Sequence, residues 1–245
     1  MSVTFTRTDG IARVMLDRPP VNALDLDIVE RLCAVFDELA KDPPLGLILA
    51  GAGRCFSAGV DTKAFAAYDH ATRARFILAL SPMVTTLYGL PFPVVCAVGG
   101  HAMGGGFMLM LCGDVRVAAD TPDILLGLTE AKAGVPFPAG PLEIVASELP
   151  PELLRSMTLT SATFPPSDIH RLGVIDELVA PENLMSTAEA RVRAMAAQSG
   201  FALVKAQIRQ PALARLSKIV ESGTDPMIAA LGASGVRPLQ TFTRG

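Results

Sequence analysis

A long stretch without charge sets the strongest limit on how this chain can fold. Between Phe76 and Gly113 there is no Asp, Glu, Lys or Arg, so the stretch must be buried in a protein core or in a membrane. It contains three prolines, and five glycines lie close together in its middle: Pro82, Pro91, Pro93, Gly99, Gly100, Gly104, Gly105 and Gly106. Because these residues break helices, the sequence predicts no continuous helix of about 20 residues and no membrane span. We expect a buried helix, a buried strand, a glycine loop and a second buried helix.

Short apolar runs followed by glycine loops indicate the fold class. Residues 45–50 and 94–98 are apolar, and each run precedes a glycine-bearing loop and a helical pattern. This alternation is typical of a mainly parallel, buried sheet and predicts an α/β fold. Near the start, residues 3–7 and 11–16 flank a glycine turn and predict a β-hairpin. Asp25 is a candidate N-cap for the first amphipathic helix.

The last quarter of the chain has a different pattern. After Pro181 the strand patterns disappear. Helical periodicity continues there in residues 182–198, 201–216 and 226–231. We therefore expect a boundary near Ala180, with an α/β core in residues 1–180 and a helical region in residues 181–245. An apolar face on the terminal helices would favour contact between copies of the chain.

The composition favours a globular enzyme that acts on a small molecule. Half of the 245 residues are hydrophobic, and the formal net charge is −3 without any basic run. This charge pattern does not suit a nucleic acid or an anionic membrane as partner. The four cysteines lack Cys-x-x-Cys spacing and charges interrupt the N-terminus, so a reducing cytoplasmic location is predicted. No carboxylate pair has metal-binding spacing, and we predict no metal.

Three glycine-rich sites are candidates for chemistry. The first, residues 51–53, starts like a dinucleotide fingerprint, but Phe56 stands where the third glycine is required. The second surrounds Ser57, which is not predicted to be a hydrolase nucleophile because Cys55 replaces the glycine two positions earlier. The third, residues 104–106, begins an apolar helix. Its free N–H groups can face a developing negative charge, or its glycines can simply allow close packing on a strand.

Two loops together resemble the crotonase, or enoyl-CoA hydratase/isomerase, family. Residues 56–61, Phe-Ser-Ala-Gly-Val-Asp, are similar to the signature after the second core strand of that family, and residues 97–106 are similar to its partner loop. Further similarity lies in residues 18–24, 112–114 and 126–130. The resemblance implies a core built as a spiral of ββα repeats with a helical C-terminal region.

The resemblance also implies an acyl-CoA site. In the family, the backbone N–H groups at the positions of Ala58 and Gly105 form an oxyanion hole for the thioester oxygen, which gains charge as a proton leaves the α-carbon. The implied substrate-binding residues are Ala58, Gly59, Val60, Asp61, Thr62, Gly105 and Thr129. No cofactor is expected, because coenzyme A belongs to the substrate, and the expected assembly is a homotrimer or a dimer of trimers.

Glu130 is the predicted proton carrier. It aligns with the second of two glutamates used by the family's hydratases, whereas Met108 occupies the place of the first. A single carboxyl group suits a shuttle that takes a proton from C2 of a 3-enoyl-CoA and returns it at C4. An apolar pocket formed by Met108, Val135 and Phe137 would raise the pKa of Glu130 towards neutrality.

Similarity to the mitochondrial type of Δ3,Δ2-enoyl-CoA isomerase makes isomerisation the predicted activity. This similarity includes residues 19–22, 134–137 and 164–166. An enoyl-CoA hydratase and a non-catalytic acyl-CoA-binding relative remain alternatives. After Gly223 the basic pattern usual in the family is hard to place, so contacts to the CoA phosphates stay unassigned. For Lys63, an ordinary surface position explains the sequence as well as a contact to a CoA phosphate does.

Overall fold

The computed structural model describes residues 2–233. The strands are β1 (Val3–Thr8), β2 (Ile11–Leu16), β3 (Gly46–Gly51), β4 (Cys55–Ser57), β5 (Val94–Val98), β6 (His101–Met103), β7 (Val115–Ala119), β8 (Leu126–Gly127), β9 (Thr163–Phe164) and β10 (Glu177–Val179). The α-helices are α1 (Leu26–Lys41), α2 (Thr62–Ala67), α3 (His70–Gly89), α4 (Gly105–Leu111), α5 (Glu130–Ala133), α6 (Ala139–Glu148), α7 (Pro151–Thr160), α8 (Pro166–Arg171), α9 (Leu184–Ala196), α10 (Phe201–Ser222) and α11 (Pro226–Ala233). A short 3-10 helix, Pro181–Asn183, precedes α9.

The strands form two sheets, and the chain passes from the larger to the smaller sheet in a repeated pattern. The larger sheet has the order β1-β2-β3-β5-β7-β10 and is parallel except for the β1–β2 hairpin. The smaller sheet has the order β4-β6-β8-β9 and is antiparallel only at β8–β9. In β3-β4-α2, β5-β6-α4 and β7-β8-α5, a strand of each sheet is followed by a helix. The predicted α/β fold with ββα repeats is confirmed.

Local signals in the N-terminal region are also confirmed. The hairpin closes between Thr8 and Ile11, with Gly10 at a φ of 79°, which glycine adopts readily. The Asp25 carboxylate accepts a hydrogen bond of 3.0 Å from the Ile28 N–H. This bond satisfies one of the free N–H groups at the start of α1, as expected for an N-cap.

The uncharged segment contains the predicted buried helix, strand, glycine loop and second helix, with α3 and β5 before the loop and α4 after it. Helix α3 begins before the segment, at His70, and continues through Pro82 to Gly89, although Pro82 was expected to interrupt the segment. Proline removes the hydrogen bond to the carbonyl four positions earlier, and that residue, Leu78, is exposed. The lost bond therefore lies on the outer side of the helix. Within residues 2–233, no helix is both long enough and apolar enough to cross a membrane.

The C-terminal helices pack on the core. Helix α9 covers one face of the larger sheet and contributes Leu184, Ala188 and Val192 to an apolar cluster with the strands. Helix α10 is attached through Asp114, whose carboxylate pairs with Lys205 at 2.7 Å and with Arg209 at 2.9 Å. The role of residues 181–245 in oligomerisation stays a prediction, and its last part, residues 234–245, lies outside the described residues.

Candidate active site

An apolar pocket lies between the two glycine loops, α3 and the start of α6. Its empty volume, including the open mouth, is about 650 Å³. The pocket is lined by Leu24, Val60, Thr62, Phe65, Phe76, Leu80, Met83, Val84, Gly105, Met108, Glu130, Val135, Pro136, Pro138, Pro141 and Met227. Of these lining residues, which all belong to the described part of the chain, Glu130 is the one with an ionisable side chain.

The position of Glu130 depends on the smaller sheet. Strand β8 pairs with β6, and the Gly104 N–H donates a hydrogen bond of 2.9 Å to the Gly127 carbonyl. Glu130 then begins α5 and turns its carboxyl group towards Gly104. A Cβ atom at Gly104 would lie 2.9 Å from Glu130 Oε1, and its φ of +51° also favours glycine. This glycine therefore makes room for the carboxyl group.

Burial governs the protonation of Glu130. The residue is 8% exposed, and its Oε2 atom is buried without a hydrogen-bond partner among residues 2–233. Burial raises the pKa of Glu130 to about 7, against an opposite effect of the backbone N–H groups of Glu130 and Thr129. A carboxyl group with this pKa can both accept and return a proton near neutral pH.

Apolar side chains surround this carboxyl group largely as predicted. Met108 on α4 is buried and lines the pocket, as does Val135. Phe137 is partly buried and packs against the main core, but it is not part of the lining. The prolines at positions 136 and 138 occupy that part of the wall instead.

The two glycine loops touch at Gly59. A Cβ atom at Gly59 would lie 2.6 Å from the Met103 carbonyl oxygen and 2.8 Å from the Gly105 nitrogen, at a φ of +81°. On the other loop, a Cβ atom at Gly105 would lie 3.8 Å from the Val60 nitrogen. The backbones of residues 59–60 and 103–105 are therefore adjacent, and a side chain at Gly59 would separate them.

The free backbone donors differ from those expected from the sequence. The Ala58 N–H already donates a hydrogen bond of 2.9 Å to the Val21 carbonyl, and Ala58 is not part of the pocket lining. This N–H is thus not available to a substrate oxygen. By contrast, the N–H groups of Val60 and Gly105 make no hydrogen bond to any residue in 2–233, and both residues line the pocket.

The bridge between Val60 and Leu24 explains why the Val60 N–H is free. Leu24 donates to the Gly59 carbonyl at 2.7 Å and accepts from the Asp61 N–H at 2.8 Å. In a parallel bridge of this kind, the central residue directs its own N–H away from its partner. The Val60 N–H therefore faces away from Leu24.

Buried polar groups hold the first glycine loop. The Ser57 hydroxyl donates to the Asn22 carbonyl at 2.7 Å and accepts from the Gly59 N–H at 3.1 Å. The Asn22 side-chain amide donates to the carbonyls of Ala52 and Cys55 at 2.9 and 2.7 Å. Ser57 therefore supports the loop, and sequence reasoning did not identify this role of Asn22.

The remaining predicted contact residues have separate positions. Thr62 lines the pocket, whereas the Asp61 carboxylate caps α2 and pairs with Arg18 at 2.7 Å. Burial acts to raise the pKa of Asp61, but the Ala64 N–H and the Arg18 guanidinium lower it overall. Thr129 immediately precedes Glu130 and is half-buried outside the lining.

Sequence reasoning missed the outer walls of the pocket. Helix α3 contributes Phe76, Leu80, Met83 and Val84, whose spacing shows one apolar helix face but not the cavity that it meets. Met227 on α11 gave no signal at all in the sequence.

Within residues 2–233, no group of three or more His, Cys, Asp or Glu side chains could hold a metal ion.

Comparison with known proteins identifies relatives of this site and fold. A family model described as enoyl-CoA hydratase/isomerase matches residues 6–225. Carnitinyl-CoA dehydratase from Citrobacter koseri is 35% identical over 189 residues, which are 76% of this chain and 71% of that protein. Carnitinyl-CoA dehydratase from Escherichia coli K12 has the same identity and coverage.

Solved structures show the same architecture. A probable enoyl-CoA hydratase from Mycobacterium tuberculosis H37Rv superposes with a TM-score of 0.84 at 30% identity, covering 95% of this chain and 97% of that one. The apo structure of an Mtb enoyl-CoA isomerase gives a TM-score of 0.82 at 31% identity, with coverages of 94% and 98%. Both are structures of the same mycobacterial protein, which is described once as a probable hydratase and once as an isomerase.

Proposed function

Because this chain belongs to the enoyl-CoA hydratase/isomerase family, we propose that it moves the double bond of a 3-enoyl-CoA to position 2, with Glu130 as the single proton carrier. The main support for this proposal is that Glu130 is the one ionisable side chain that lines the apolar pocket, among the described residues. Met108 stands where a second acid would be needed to activate water. An apolar thioether cannot polarise a water molecule.

Two backbone donors support the proposal. The N–H groups of Val60 and Gly105 are free and lie on adjacent loops at the pocket. Fixed donors of this kind stabilise an oxygen that gains negative charge in the transition state. We infer that the thioester oxygen binds to Val60 and Gly105, in place of the pair that includes Ala58.

The proposed reaction conserves every atom of the substrate. The Glu130 carboxylate takes a proton from C2, and the electron pair of that C–H bond forms a dienolate whose oxygen accepts hydrogen bonds from the two N–H groups. The C3–C4 double-bond electrons then take the same proton at C4, while the enolate oxygen re-forms the thioester carbonyl and the C1–C2 double-bond electrons become the new C2–C3 double bond. Because the pKa of Glu130 is about 7, its carboxylate and its acid form are both populated near neutral pH, as the two transfers require.

A dehydratase is the second candidate, because the curated relatives reported above are carnitinyl-CoA dehydratases. In that reaction Glu130 would take the proton from C2 and return it to a departing hydroxyl group at C3, so that water leaves. The two candidates share the base and differ in the substrate. A hydratase reaction is the reverse of this elimination, and a non-catalytic acyl-CoA-binding protein would perform neither reaction.

The decisive experiment compares these substrates directly. We expect a 3-enoyl-CoA to be converted into the conjugated 2-enoyl-CoA, followed by its ultraviolet absorbance, faster than a 3-hydroxyacyl-CoA loses water. The panel should include carnitinyl-CoA. Faster elimination than isomerisation would favour the dehydratase candidate, and binding without turnover of any substrate would identify a non-catalytic protein.

Variants of two glutamates then test the proton carrier. Glu130→Gln keeps the size of the side chain but removes the base, so we expect isomerisation to fall by about a thousandfold while acyl-CoA binding is retained. Glu152→Gln is the matched control, because Glu152 is exposed on α7. Unchanged turnover in Glu130→Gln would contradict the assignment.

Assembly and location remain part of the proposal. We expect a homotrimer or a dimer of trimers in the cytoplasm, and no cofactor beyond the coenzyme A of the substrate. Sedimentation of the purified protein tests the assembly. Turnover by protein stripped of small molecules and metals with a chelator tests the requirement for a cofactor.

A further inference from the structure

A buried carboxylate joins two helices at the wall of the pocket. Asp225 is 3% exposed and immediately precedes α11. One of its carboxylate oxygens accepts a hydrogen bond of 2.8 Å from the Ala139 N–H at the start of α6, and the other accepts one of 2.8 Å from the Met227 N–H. Asp225 therefore holds a residue that lies 86 positions earlier in the chain.

Helix α6 needs this contact because it has no cap of its own. Pro138 occupies its N-cap position and makes no side-chain hydrogen bond to the helix. The first free N–H groups are instead satisfied by distant residues, Ala139 by Asp225 and Gly140 by the Ser81 hydroxyl at 3.1 Å. A buried N–H without a partner is unfavourable. Asp225 and Ser81 therefore fix α6 to α11 and to α3.

The same carboxylate places Met227 in the pocket. Helix α10 ends at Ser222 and is capped by Gly223, which has a left-handed φ of 62°, and α11 then begins with Asp225 as its N-cap. The Asp225 carbonyl also accepts a hydrogen bond of 3.0 Å from the Ile228 N–H. Met227 is buried and lines the pocket together with side chains of α3.

We propose that Met227 determines which acyl chains the pocket accepts, and that Asp225 is the positioning residue that holds it there. This inference rests on the proposed function, since it assumes that the apolar pocket receives the acyl group. Methionine fills irregular apolar space with an unbranched chain. Its removal opens room in the wall, which favours longer acyl chains.

Binding of unreactive thioesters tests the role of Met227 separately from catalysis. The probes are saturated acyl-CoA thioesters from butanoyl-CoA to dodecanoyl-CoA, with dissociation constants measured by calorimetry. For Met227→Ala we expect the affinity for the longest thioesters, relative to the shortest, to rise about tenfold. Met185→Ala is the control, because Met185 packs on the opposite side of the larger sheet and should leave the ratio unchanged.

A double-variant cycle tests whether Asp225 acts through Met227. Asp225→Ala should shift the chain-length ratio in the same direction as Met227→Ala, and the double variant should add little, because the two residues act as one unit. Asp69→Ala is the control for losing a helix cap, since Asp69 is exposed and caps α3. Hydrogen exchange should be faster at the Ala139 and Met227 amides in Asp225→Ala than in the unaltered protein.

The outcomes separate this inference from the proposed function. If the unaltered protein binds no acyl-CoA, the proposed function itself is contradicted. If it binds acyl-CoA but Met227→Ala leaves the chain-length ratio unchanged, the inference about Met227 is overturned. If Met227→Ala shifts the ratio and Asp225→Ala does not, Asp225 has no positioning role.

Discussion

The absence of a side chain at Gly104 leaves the space that the Glu130 carboxyl group occupies, because a Cβ atom at Gly104 would lie 2.9 Å from Glu130 Oε1. Gly104 is also the residue before Gly105, whose N–H is one of the two free donors at the pocket. The proposed base therefore rests against the same loop that provides a proposed oxyanion donor.

The pH dependence of turnover follows from the buried state of Glu130. The carboxylate form takes the proton from the substrate, and the pKa of Glu130 is about 7. We expect kcat/KM for 3-enoyl-CoA isomerisation to rise about tenfold per pH unit below pH 7 and to level off above it. Initial rates between about pH 5 and pH 9 provide this profile. A midpoint near the ordinary glutamate pKa of about 4.3 would show that burial does not control the base.

Contact between the two loops makes Gly59 essential. Gly59→Ala places a methyl group within 3 Å of Met103 and Gly105 backbone atoms at a positive φ. We expect the variant to lose about 3 kcal/mol in the free energy of unfolding, from backbone strain and overpacking combined. We also expect most of the isomerase activity to disappear, because the two donors are pushed apart. Urea unfolding and the absorbance assay measure the two effects.

Gly53, in the turn between β3 and β4, offers a matched control. It also has a positive φ, of +72°, but nothing lies within 4 Å of a Cβ atom there. Gly53→Ala should therefore show the strain alone, about 1–2 kcal/mol, with activity retained. Equal effects of the two substitutions would mean that the contact between the loops has no importance for the site.

The core elements were predictable because their signals are local. Alternating polarity predicted the β1–β2 hairpin, and a capping aspartate predicted the start of α1 at Asp25. By contrast, whether the Ala58 or the Val60 N–H is free depends on carbonyls and bridges in residues 21–24. No local pattern around residue 58 contains that information, so the sequence predicted Ala58, whose N–H is bonded to the Val21 carbonyl in the structure.

Tertiary contacts also explain the other differences. Proline normally breaks a helix, but α3 continues through Pro82 because the freed carbonyl is on an exposed residue and the opposite face is packed in the core. Asp225 is an unremarkable aspartate in the sequence, yet it caps a helix that begins 86 positions earlier. Long-range hydrogen bonds of this kind leave no periodicity that could be read from the chain.

A second acid at position 108 should change the reaction. Met108 is buried and lines the same pocket as the proposed base, and Met108→Glu would provide the additional carboxyl group that water activation needs. We expect measurable conversion of 2-enoyl-CoA into 3-hydroxyacyl-CoA, at least tenfold above the unaltered protein, and slower isomerisation. Product analysis by chromatography measures both reactions.

Met108→Gln separates acid chemistry from polarity. Glutamine has nearly the same size as glutamate and can bind water, but it cannot transfer a proton. We therefore expect no gain of hydration in Met108→Gln. Equal hydration by both variants would show that a polar pocket is enough, and that the lack of a second acid does not determine the activity of this chain.

The free energy of unfolding should depend on pH because Glu130 is buried. Its pKa is raised from 4.5 to about 7 in the folded protein, so between these values the folded state binds more protons than the unfolded state. Stability therefore falls as pH rises through this window. Glu130→Gln removes the titration, and its free energy of unfolding relative to the unaltered protein should increase by about 2 kcal/mol between about pH 5.5 and pH 8. Comparing two pH values cancels any constant effect of the amide group.

Urea unfolding at the two pH values measures this difference. Glu152→Gln, on the exposed surface of α7, should show no change between them. A difference for Glu130→Gln that does not change with pH would mean that burial does not raise the pKa of this carboxyl group.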